Sequence, residues 1–339
     1  MTEESGVWLL VAYAPVGVLG LRRSRRFVWF WNTFQSEVME EVNLVAIAIL
    51  SRGRCGLSRC ITFYLVAMAT TDIAALVTDV ILHRINNMYF PVSFLLLTPV
   101  CALRHALYIV SVDCSVWFTV AFTFDRLVAI CCRNLKRKFC CLRTTAVIIF
   151  AVFGASILKS FPVYFAYKPV IVIGSLPWYC RGKAEFWASP YWKLYQRGGT
   201  FVTFLLPILL ISLFNALTVR YIIAANRVRR RLRSNGGNDH EMENRRKSIG
   251  LLFAVSANVV LLWVPKAIHA LNWQLQNYNY GNKYLNTPVY NHQQIGHMLQ
   301  FLSFSTNTCI YGITQKKFRE ELGNGIKCFL KLNRKIIPE

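Results

Sequence analysis

Residues 101–126 read CALRHALYIVSVDCSVWFTVAFTFDR, an apolar stretch that begins with a cysteine and ends with the pair Asp125-Arg126. As a helix it would be roughly 37 Å long. That length crosses a hydrocarbon core of about 30 Å with some tilt. The stretch therefore predicts a membrane span with Cys101 at the outer end and Asp125-Arg126 at the cytosolic end. An Asp-Arg pair there suits a switch that faces a cytosolic partner, and a solvated helix end is the alternative.

Composition supports a membrane protein. Hydrophobic residues make up 55% of the 339 residues and charged residues only 16%, too much apolar surface for a water-soluble domain of this length. The net charge of +23 would suit nucleic acid or an anionic membrane. The basic residues gather in short connections, at 133–138, 227–233, 245–247 and 316–319, which is the positive-inside pattern. We therefore predict contact with membrane lipids and no nucleic acid as a partner.

Six apolar stretches are long enough to cross a bilayer. They cover about 61–82, 97–131, 144–166, 198–225, 249–271 and 294–315. With a first span near the N-terminus, they predict an all-α membrane protein, a seven-transmembrane helix bundle within residues 1–330. A short amphipathic eighth helix is expected at 316–330, followed by a cytosolic tail at 331–339.

The first span is irregular. Residues 7–20 and 42–50 are apolar but each is too short to cross, and residues 21–41 between them carry four arginines and three glutamates. Each charge at the bilayer centre costs about 2.5–3.5 kcal/mol. Joined directly, the two apolar halves would make one good span, so we interpret 21–41 as an insertion from a retained intron or a gene-model error. The alternative is that residues 27–50 form a partly amphipathic first helix.

The cysteines test this topology. Of the 11 cysteines, only Cys101 and Cys180 face the exterior under this assignment. Two thiols in an oxidising compartment predict one disulfide, which would join the third span to the exterior loop after the fourth. Cys131, Cys132 and Cys328 lie near cytosolic boundaries and are candidates for palmitoylation.

In their order and spacing, the motifs of residues 42–330 resemble the rhodopsin-like family of G-protein-coupled receptors. The matching residues are Asn43, Asp72, Cys101, Trp117, Asp125-Arg126-Leu127, Pro207, Trp263-Val264-Pro265, the run 307–311 and Phe318. Within the family, NLVAIAILSRGRCGLS at 43–58 and LWVPK at 262–266 resemble the orphan receptors related to the aromatic-amino-acid-sensing group, which neighbours the peptide receptors. The chain departs from the family pattern at Thr308, where proline is usual, at Asn215, where tyrosine is usual, and in lacking a central tryptophan in the fourth span.

The resemblance implies a plasma-membrane receptor that is not an enzyme, with its N-terminus outside and its C-terminus in the cytosol. The expected partners are a heterotrimeric G protein and a small-molecule or peptide ligand. Arg126 would leave Asp125 to contact the G protein and Tyr311, and Asn215 would belong to the same switch. Trp263 and Pro265 would form a hinge in a kinked sixth helix. A packed aromatic beside a structural kink is the alternative.

A polar cluster inside the spans is implied as well, formed by Asn43, Asp72, Ser115, Ser303 and Asn307. No cofactor is expected, but the resemblance implies an allosteric sodium ion held by Asp72, since a hard cation prefers oxygen ligands. A hydrated cluster that only holds helices together is the alternative. Asp113 is a second acid within the spans, and neither its pattern nor the resemblance gives it a role.

An outer cavity between the helices is the expected ligand site. Its lining would comprise Arg104, His105, Tyr108, Lys266, His269, Trp273, Gln293 and His297. Tyr108 stands where amine receptors carry an aspartate, which disfavours a biogenic amine. Lys266 and Arg104 favour a ligand with a carboxylate or carbonyls, although both could instead extend toward lipid headgroups.

Three other functions were weighed. A multi-span transporter should show discontinuous helices and a repeat relating its halves, and the sequence shows neither. An intramembrane enzyme should show a nucleophile-base set or a metal motif, and the six histidines form none. The third is a receptor-derived protein that is not functional because residues 21–41 disrupt its first span.

We predict that deleting residues 21–41 raises surface expression and signalling. The deletion fuses the two apolar halves into one span and removes the arginines that would hold the end of 7–20 at the cytosolic face. Cell-surface labelling and a second-messenger assay of both chains measure the effect. Equal or better performance by the full-length chain would show that 21–41 belongs to the receptor.

Overall fold

The computed structural model describes residues 40–90, 92–132, 135, 139–232, 239–276 and 288–336. Most of the predicted insertion lies outside these residues, as does 7–20. Residues 40–51 are helical, so the helix includes the last two residues of the predicted insertion. The tail at 331–339 is described only as far as 336, where it is still helical.

Eight helices of the described chain are labelled here in order. They are α1 at 40–51, α2 at 59–89, α3 at Thr98–Cys131, α4 at Leu142–Tyr164, α5 at 190–232, α6 at Asp239–Gln276, α7 at Pro288–Thr314 and α8 at Lys316–Ile336. α2 consists of Arg59–Leu76, a π-helical segment Val77–Ile85 and a last α turn, Asn86–Tyr89. α5 consists of Pro190–Thr200, a π-helical segment Phe201–Leu205 and Leu206–Leu232. The predicted spans coincide with α2 to α7, with ends that differ by up to ten residues.

Within the described residues, five helices have the length and apolar composition needed to cross a membrane: Arg59–Ile85, Thr98–Cys131, Leu142–Tyr164, Pro190–Ala225 and Ile249–Gln274. α7 is long enough but less apolar, because its sequence is interrupted by His, Gln, Asn, Ser and Thr side chains. Those polar residues turn toward the other helices, where Gln300, Ser303 and Asn307 are buried.

Burial shows how the helices are arranged. α3 is central, with two thirds of its most apolar stretch buried, whereas α4 is peripheral and buries only 17% of its own. Phe150 and Leu158 of α4 are about three quarters exposed, at 74% and 77%. Exposed apolar side chains along a whole helix are expected where the solvent is lipid.

The core has two parts. The inner part packs Tyr64, Met68, Phe122 and Tyr311 between α2, α3 and α7. The outer part surrounds Trp263, which is 1% exposed, with apolar side chains of α3, α5 and α7. Both parts enclose the polar groups described below.

The exterior loop after α4 forms two short antiparallel hairpins. Tyr167–Lys168 pairs with Arg181–Gly182, and Ile171–Ile173 pairs with Leu176–Trp178. Gly174 and Ser175 both have positive φ, which matches a two-residue turn that follows the strand twist.

A disulfide between Cys101 and Cys180 ties this loop to the start of α3, which confirms the predicted pairing. The Thr98 hydroxyl donates to the Tyr179 carbonyl at 2.6 Å, and the Tyr179 amide donates to the Leu96 carbonyl at 2.7 Å. The loop is therefore held across the outer end of the bundle, over the predicted cavity.

Candidate functional site

The predicted cavity residues gather near the outer ends of α3, α6 and α7. The Lys266 ammonium lies 2.5 Å from Nε2 of His297. Because an ammonium has no acceptor, Nε2 of His297 accepts and the ring proton is assigned to Nδ1. His269 is 5% exposed, and its ring lies 6.3 Å from Trp273. Gln293 lies one turn before His297 on α7 and is half-buried.

The α3 side of the cavity is also polar. Arg104 is 7% exposed, and its Nη1 donates to the Thr78 carbonyl of α2 at 3.3 Å. The His105 ring meets Tyr167 of the exterior loop edge-on, with centroids 5.5 Å apart, and lies 6.2 Å from the Tyr108 ring. The loop that the disulfide holds thus contacts the α3 side of the predicted site.

Sequence reasoning missed an ion pair at this site. Asp79 and Arg84 of α2 are joined by a contact of 2.8 Å, and the Arg84 guanidinium lies 5.3 Å from the centre of the Phe301 ring. Both residues belong to the π-helical segment, where backbone bonds join residues five apart and so bring positions i and i+5 together. The signal in the sequence was the spacing of five residues between Asp79 and Arg84. In an ordinary α-helix, facing residues are three or four positions apart, so this spacing does not predict an ion pair.

The ion pair affects the net charge of the predicted site, because it neutralises the Asp79 carboxylate. Asp79 is satisfied by Arg84, with His83 also 3.5 Å away. Within the described chain, neither Arg104 nor Lys266 forms an ion pair. Two cations are thus available to a ligand, and the nearby carboxylate is already paired.

α6 and α7 touch closely beside Lys266. A Cβ at Gly296 would lie 3.1 Å from the Lys266 Cα and 3.2 Å from its backbone nitrogen. Only glycine fits here without moving one helix, so Gly296 fixes where Lys266 and His297 meet.

The chain also has a cavity of about 450 Å³ outside this cluster, lined mainly by aromatic and small residues. Its lining residues are Pro162, Glu185, Phe186, Ser189, Tyr191, Trp192 and Tyr195. It lies at the outer ends of α4 and α5 and contains none of the predicted ligand residues. No cation lines this cavity, whereas the predicted site contains Arg104 and Lys266.

Beneath the outer site, a chain of hydrogen bonds runs through the bundle. Asp72 is fully buried and accepts from Ser115 at 2.5 Å and from the Asn307 amide at 3.1 Å. Asn258 of α6 donates to Asn307 at 3.2 Å and to the Ser303 hydroxyl at 3.3 Å. One network thus joins four residues of the predicted polar cluster: Asp72, Ser115, Ser303 and Asn307. Asn258, which also accepts from Thr306, was not predicted.

The network ends on Trp263. The indole nitrogen donates to the Ser303 hydroxyl at 3.2 Å, and the ring centroid lies 5.9 Å from those of Phe204 and Phe304. Ser303 therefore contacts the tryptophan and not Asp72. Pro265 lies two residues later, inside α6, where it removes one backbone hydrogen bond.

Asn43 is placed beside α7 and does not bond to Asp72. Its amide donates to the Phe304 carbonyl at 3.1 Å, and its oxygen accepts from the Thr308 hydroxyl at 3.2 Å. Thr308 stands where the family usually has proline, and it supplies a bond that proline could not make. A reciprocal pair of hydrogen bonds thus ties α1 to α7.

At the end of α3 that the sequence predicts to be cytosolic, Arg126 and Asp125 form an ion pair, with Nε of Arg126 3.1 Å from the Asp125 carboxylate. The two residues are 8% and 4% exposed. The Cys140 thiol donates to the Asp125 carbonyl at 3.5 Å, and burial raises the pKa of this thiol to about 12. The pair is thus buried, with Cys140 bonded to its backbone.

The other predicted switch residues lie apart from this pair. The Tyr311 ring meets Phe318 of α8 at 6.1 Å, and its hydroxyl is buried without a hydrogen-bond partner among the described residues. The side-chain oxygen of Asn215 is in the same situation. Each therefore keeps a polar atom that the rest of the described chain does not use.

The palmitoylation candidates differ in what is described. Cys131 and Cys132 are half-buried at the end of α3. Cys328 belongs to α8, but its side chain lies outside the described part. Cys141, which was not predicted, is the N-cap residue of α4, and a hydrogen bond with Thr144 lowers the pKa of its thiol.

Asp113 has partners that the sequence did not reveal. Lys159 of α4 lies 2.6 Å from its carboxylate, and the Thr203 hydroxyl of α5 donates to it at 2.6 Å. A charge in hydrocarbon costs about 2.5–3.5 kcal/mol on insertion scales, so the pair removes a penalty that either residue alone would carry. No signal links residues 113, 159 and 203 in the sequence, since they lie on three different helices.

These features coincide with a known family. Residues 42–311 match the family "7 transmembrane receptor (rhodopsin family)". The chain belongs to this family. It is accordingly a seven-helix, multi-pass membrane receptor and not an enzyme, and its first helix includes residues 42–51. The match confirms the predicted fold class and receptor class.

Proposed function

We propose that this receptor resides in the plasma membrane, with its N-terminus outside, and transmits ligand binding at the outer cavity to a heterotrimeric G protein. The observation that carries the proposal is the hydrogen-bonded chain from Trp263 through Ser303, Asn258 and Asn307 to Asp72. It joins the floor of the outer site to the middle of the bundle. Tyr311, which belongs to the proposed cytosolic switch, lies one turn further along α7.

The sequestered Asp125-Arg126 pair supports an inactive state of the switch. Arg126 can reach a cytosolic partner only after it leaves Asp125, and the unused polar atoms of Tyr311 and Asn215 are suitable new partners. Outward movement of the inner end of α6, hinged near Pro265, would open that space.

We expect Arg126→Ala to abolish G-protein activation while leaving ligand binding at the surface largely intact, because Arg126 lies at the opposite end of the bundle from the cavity. Nucleotide exchange on purified G protein, at matched surface expression, measures this. Arg143→Ala, an exposed arginine at the start of α4, is the control and should keep its response. Full activation by Arg126→Ala would refute the switch.

The ligand that we propose carries a carboxylate. At this site neither Arg104 nor Lys266 has an ionic partner among the described residues, while Asp79 is held by Arg84. A small aromatic amino acid fits this charge and the surrounding rings of Tyr108, Phe301 and Trp273. A peptide with a terminal carboxylate is the alternative of the same chemistry. An amine would have to displace Arg84 to reach a carboxylate.

Lys266→Gln should weaken the response to L-phenylalanine by about 10- to 100-fold, which corresponds to losing one charged hydrogen bond. The carboxamide of L-phenylalanine lacks the negative charge of the carboxylate, so it should activate the unmodified receptor more weakly. Lys266→Gln should change this weaker response little. Lys168→Gln, an exposed lysine of the exterior loop, is the matched control. An unchanged response of Lys266→Gln to an active L-phenylalanine would remove Lys266 from the site, and no response of the unmodified receptor would exclude this ligand.

Sodium is a further proposal at the Asp72 cluster. Asp72 and the hydroxyls of Ser115 and Ser303 are oxygen donors of the type that a hard cation prefers, and Asp72 is buried without a cationic partner among the described residues. The residues therefore fit such an ion. Their present hydrogen bonds also satisfy Asp72 without one, which keeps the structural alternative open.

If sodium binds there, it should reduce agonist affinity in the unmodified receptor and not in Asp72→Asn. Ion and agonist must oppose each other equally, because coupling between two sites is reciprocal. Agonist binding at constant ionic strength, with choline replacing sodium, measures the effect. An unmodified receptor that is indifferent to sodium would make the cluster purely structural.

A further inference from the structure

The Asp113 cluster lies at an irregular part of α5. Thr203 is the middle residue of the π-helical segment Phe201–Leu205. Its hydroxyl donates to Asp113 at 2.6 Å and accepts from the Lys159 ammonium at 2.6 Å. Asp113 is 2% exposed and Thr203 is 7% exposed. A single α5 side chain is therefore held by an ion pair between buried Asp113 of α3 and partly exposed Lys159 of α4.

A second contact fixes α5 on the outer side of this point. The Tyr195 hydroxyl donates to the backbone carbonyl of Lys159. Further along, the Gln274 amide of α6 donates to the Thr200 hydroxyl at 2.6 Å and to the Gln196 carbonyl at 3.2 Å. The outer part of α5 is thus joined to α4 and α6 by specific hydrogen bonds.

The residue after Thr203 faces the hinge. The Phe204 ring lies 5.9 Å from Trp263. A π-helical segment holds one more residue per turn than the helix around it. If it became α-helical, one residue would leave the turn, and the two parts of α5 would rotate relative to each other by about 100°. After such a rotation, three contacts could not all persist. They are the contact of Thr203 with Asp113, that of Phe204 with Trp263, and those of the outer part of α5 with α4 and α6.

We propose that Asp113, Lys159 and Thr203 are positioning residues that set the register of α5, by holding its π-helical segment between the outer ligand site and the cytosolic half of the helix. The proposal rests on the proposed function for its consequence in signalling, since register decides which face the cytosolic half of α5 turns toward α6. The register itself does not depend on a ligand or a G protein.

The chain offers a matched pair of threonines on α5. Thr203→Val removes the hydroxyl that contacts Asp113 and Lys159. Thr218→Val removes a hydroxyl of a residue that is also buried, at 0% exposed. Among the described residues this hydroxyl bonds only to the Phe214 carbonyl of its own helix, at 2.8 Å. Both changes keep shape and nearly keep size, so they isolate the interhelical bond.

The experiment measures a distance in the full chain, purified in lipid nanodiscs without ligand. Spin labels are attached to keto amino acids introduced at Arg143 of α4 and Arg220 of α5, both exposed, so that all cysteines stay. A rotation of about 100° moves a label on a helix surface by about 8 Å. We expect Thr203→Val and Lys159→Met to add a second distance population at least about 4 Å from the first, and Thr218→Val to leave the single population unchanged.

Unchanged distances in Thr203→Val, with or without a lower melting temperature, would overturn the proposal, because the cluster would then only hold helices together. An equal change in Thr218→Val would also overturn it, because the effect would come from losing any threonine hydroxyl. Because Lys159→Met leaves the buried Asp113 carboxylate without its cation and so lowers stability as well, Thr203→Val decides the outcome. G-protein assays on the same variants are a separate readout, and their failure in the unmodified receptor would reject the proposed function and leave the distance result standing.

Discussion

The hydrocarbon around this bundle offers no partner to a charged group, so a buried carboxylate must be satisfied by another part of the chain. Asp72 and Asp113 both lie on spans and are both buried, and they meet this requirement in different ways. Asp72 is held by neutral donors, Ser115 and Asn307. Asp113 is held by a cation, Lys159. Together they organise the polar interior of the bundle.

The difference has a physical consequence. A carboxylate held only by neutral hydrogen bonds keeps its charge available to an added cation, and its donors can turn away. A carboxylate paired with an ammonium is already neutralised, and removing one partner leaves a buried charge. The Asp72 network therefore suits a part of the bundle that rearranges, whereas the Asp113 pair suits a fixed reference against which other helices move.

The sequence predicted much of the fold because the membrane imposes a simple pattern. Long apolar stretches predicted the six helices α2 to α7, and the placement of two cysteines predicted the disulfide. The orientation inferred from the basic connections stays a prediction. The ends of the helices were less well predicted. For example, α6 begins at Asp239, in a charged stretch that hydropathy alone does not include in a span. The segment 21–41 and the N-terminal half of the first span remain expectations from sequence, because all but residues 40 and 41 lie outside the described chain.

The candidate site was predicted where the family motifs carry it, and was missed where pairing depends on distant residues. No motif contains Asn258, Lys159 or Thr203. Their hydrogen bonds to Ser303 and Asp113 join residues that lie 45 or more positions apart in the sequence. Asp79 and Arg84 are close in sequence, but their pairing needs a π-helical turn. Neither hydropathy nor helical periodicity predicts where such a turn will occur.

The departures from the family pattern concern the same polar interior. Thr308 replaces proline and keeps its backbone N–H, so α7 is a continuous helix from Pro288 to Thr314. In such a helix the Phe304 carbonyl already accepts from the Thr308 amide, and Asn43 shares that carbonyl while it also receives the Thr308 hydroxyl. The inner half of α7 is thus more regular and more firmly tied to α1 than a proline would allow. The irregular backbone of the described spans lies elsewhere: at Pro162 in α4, at Pro265 in α6 and in the π-helical segments of α2 and α5. Three of these four places contact the outer site or Trp263, so the parts of the bundle best able to change shape are those nearest the proposed ligand.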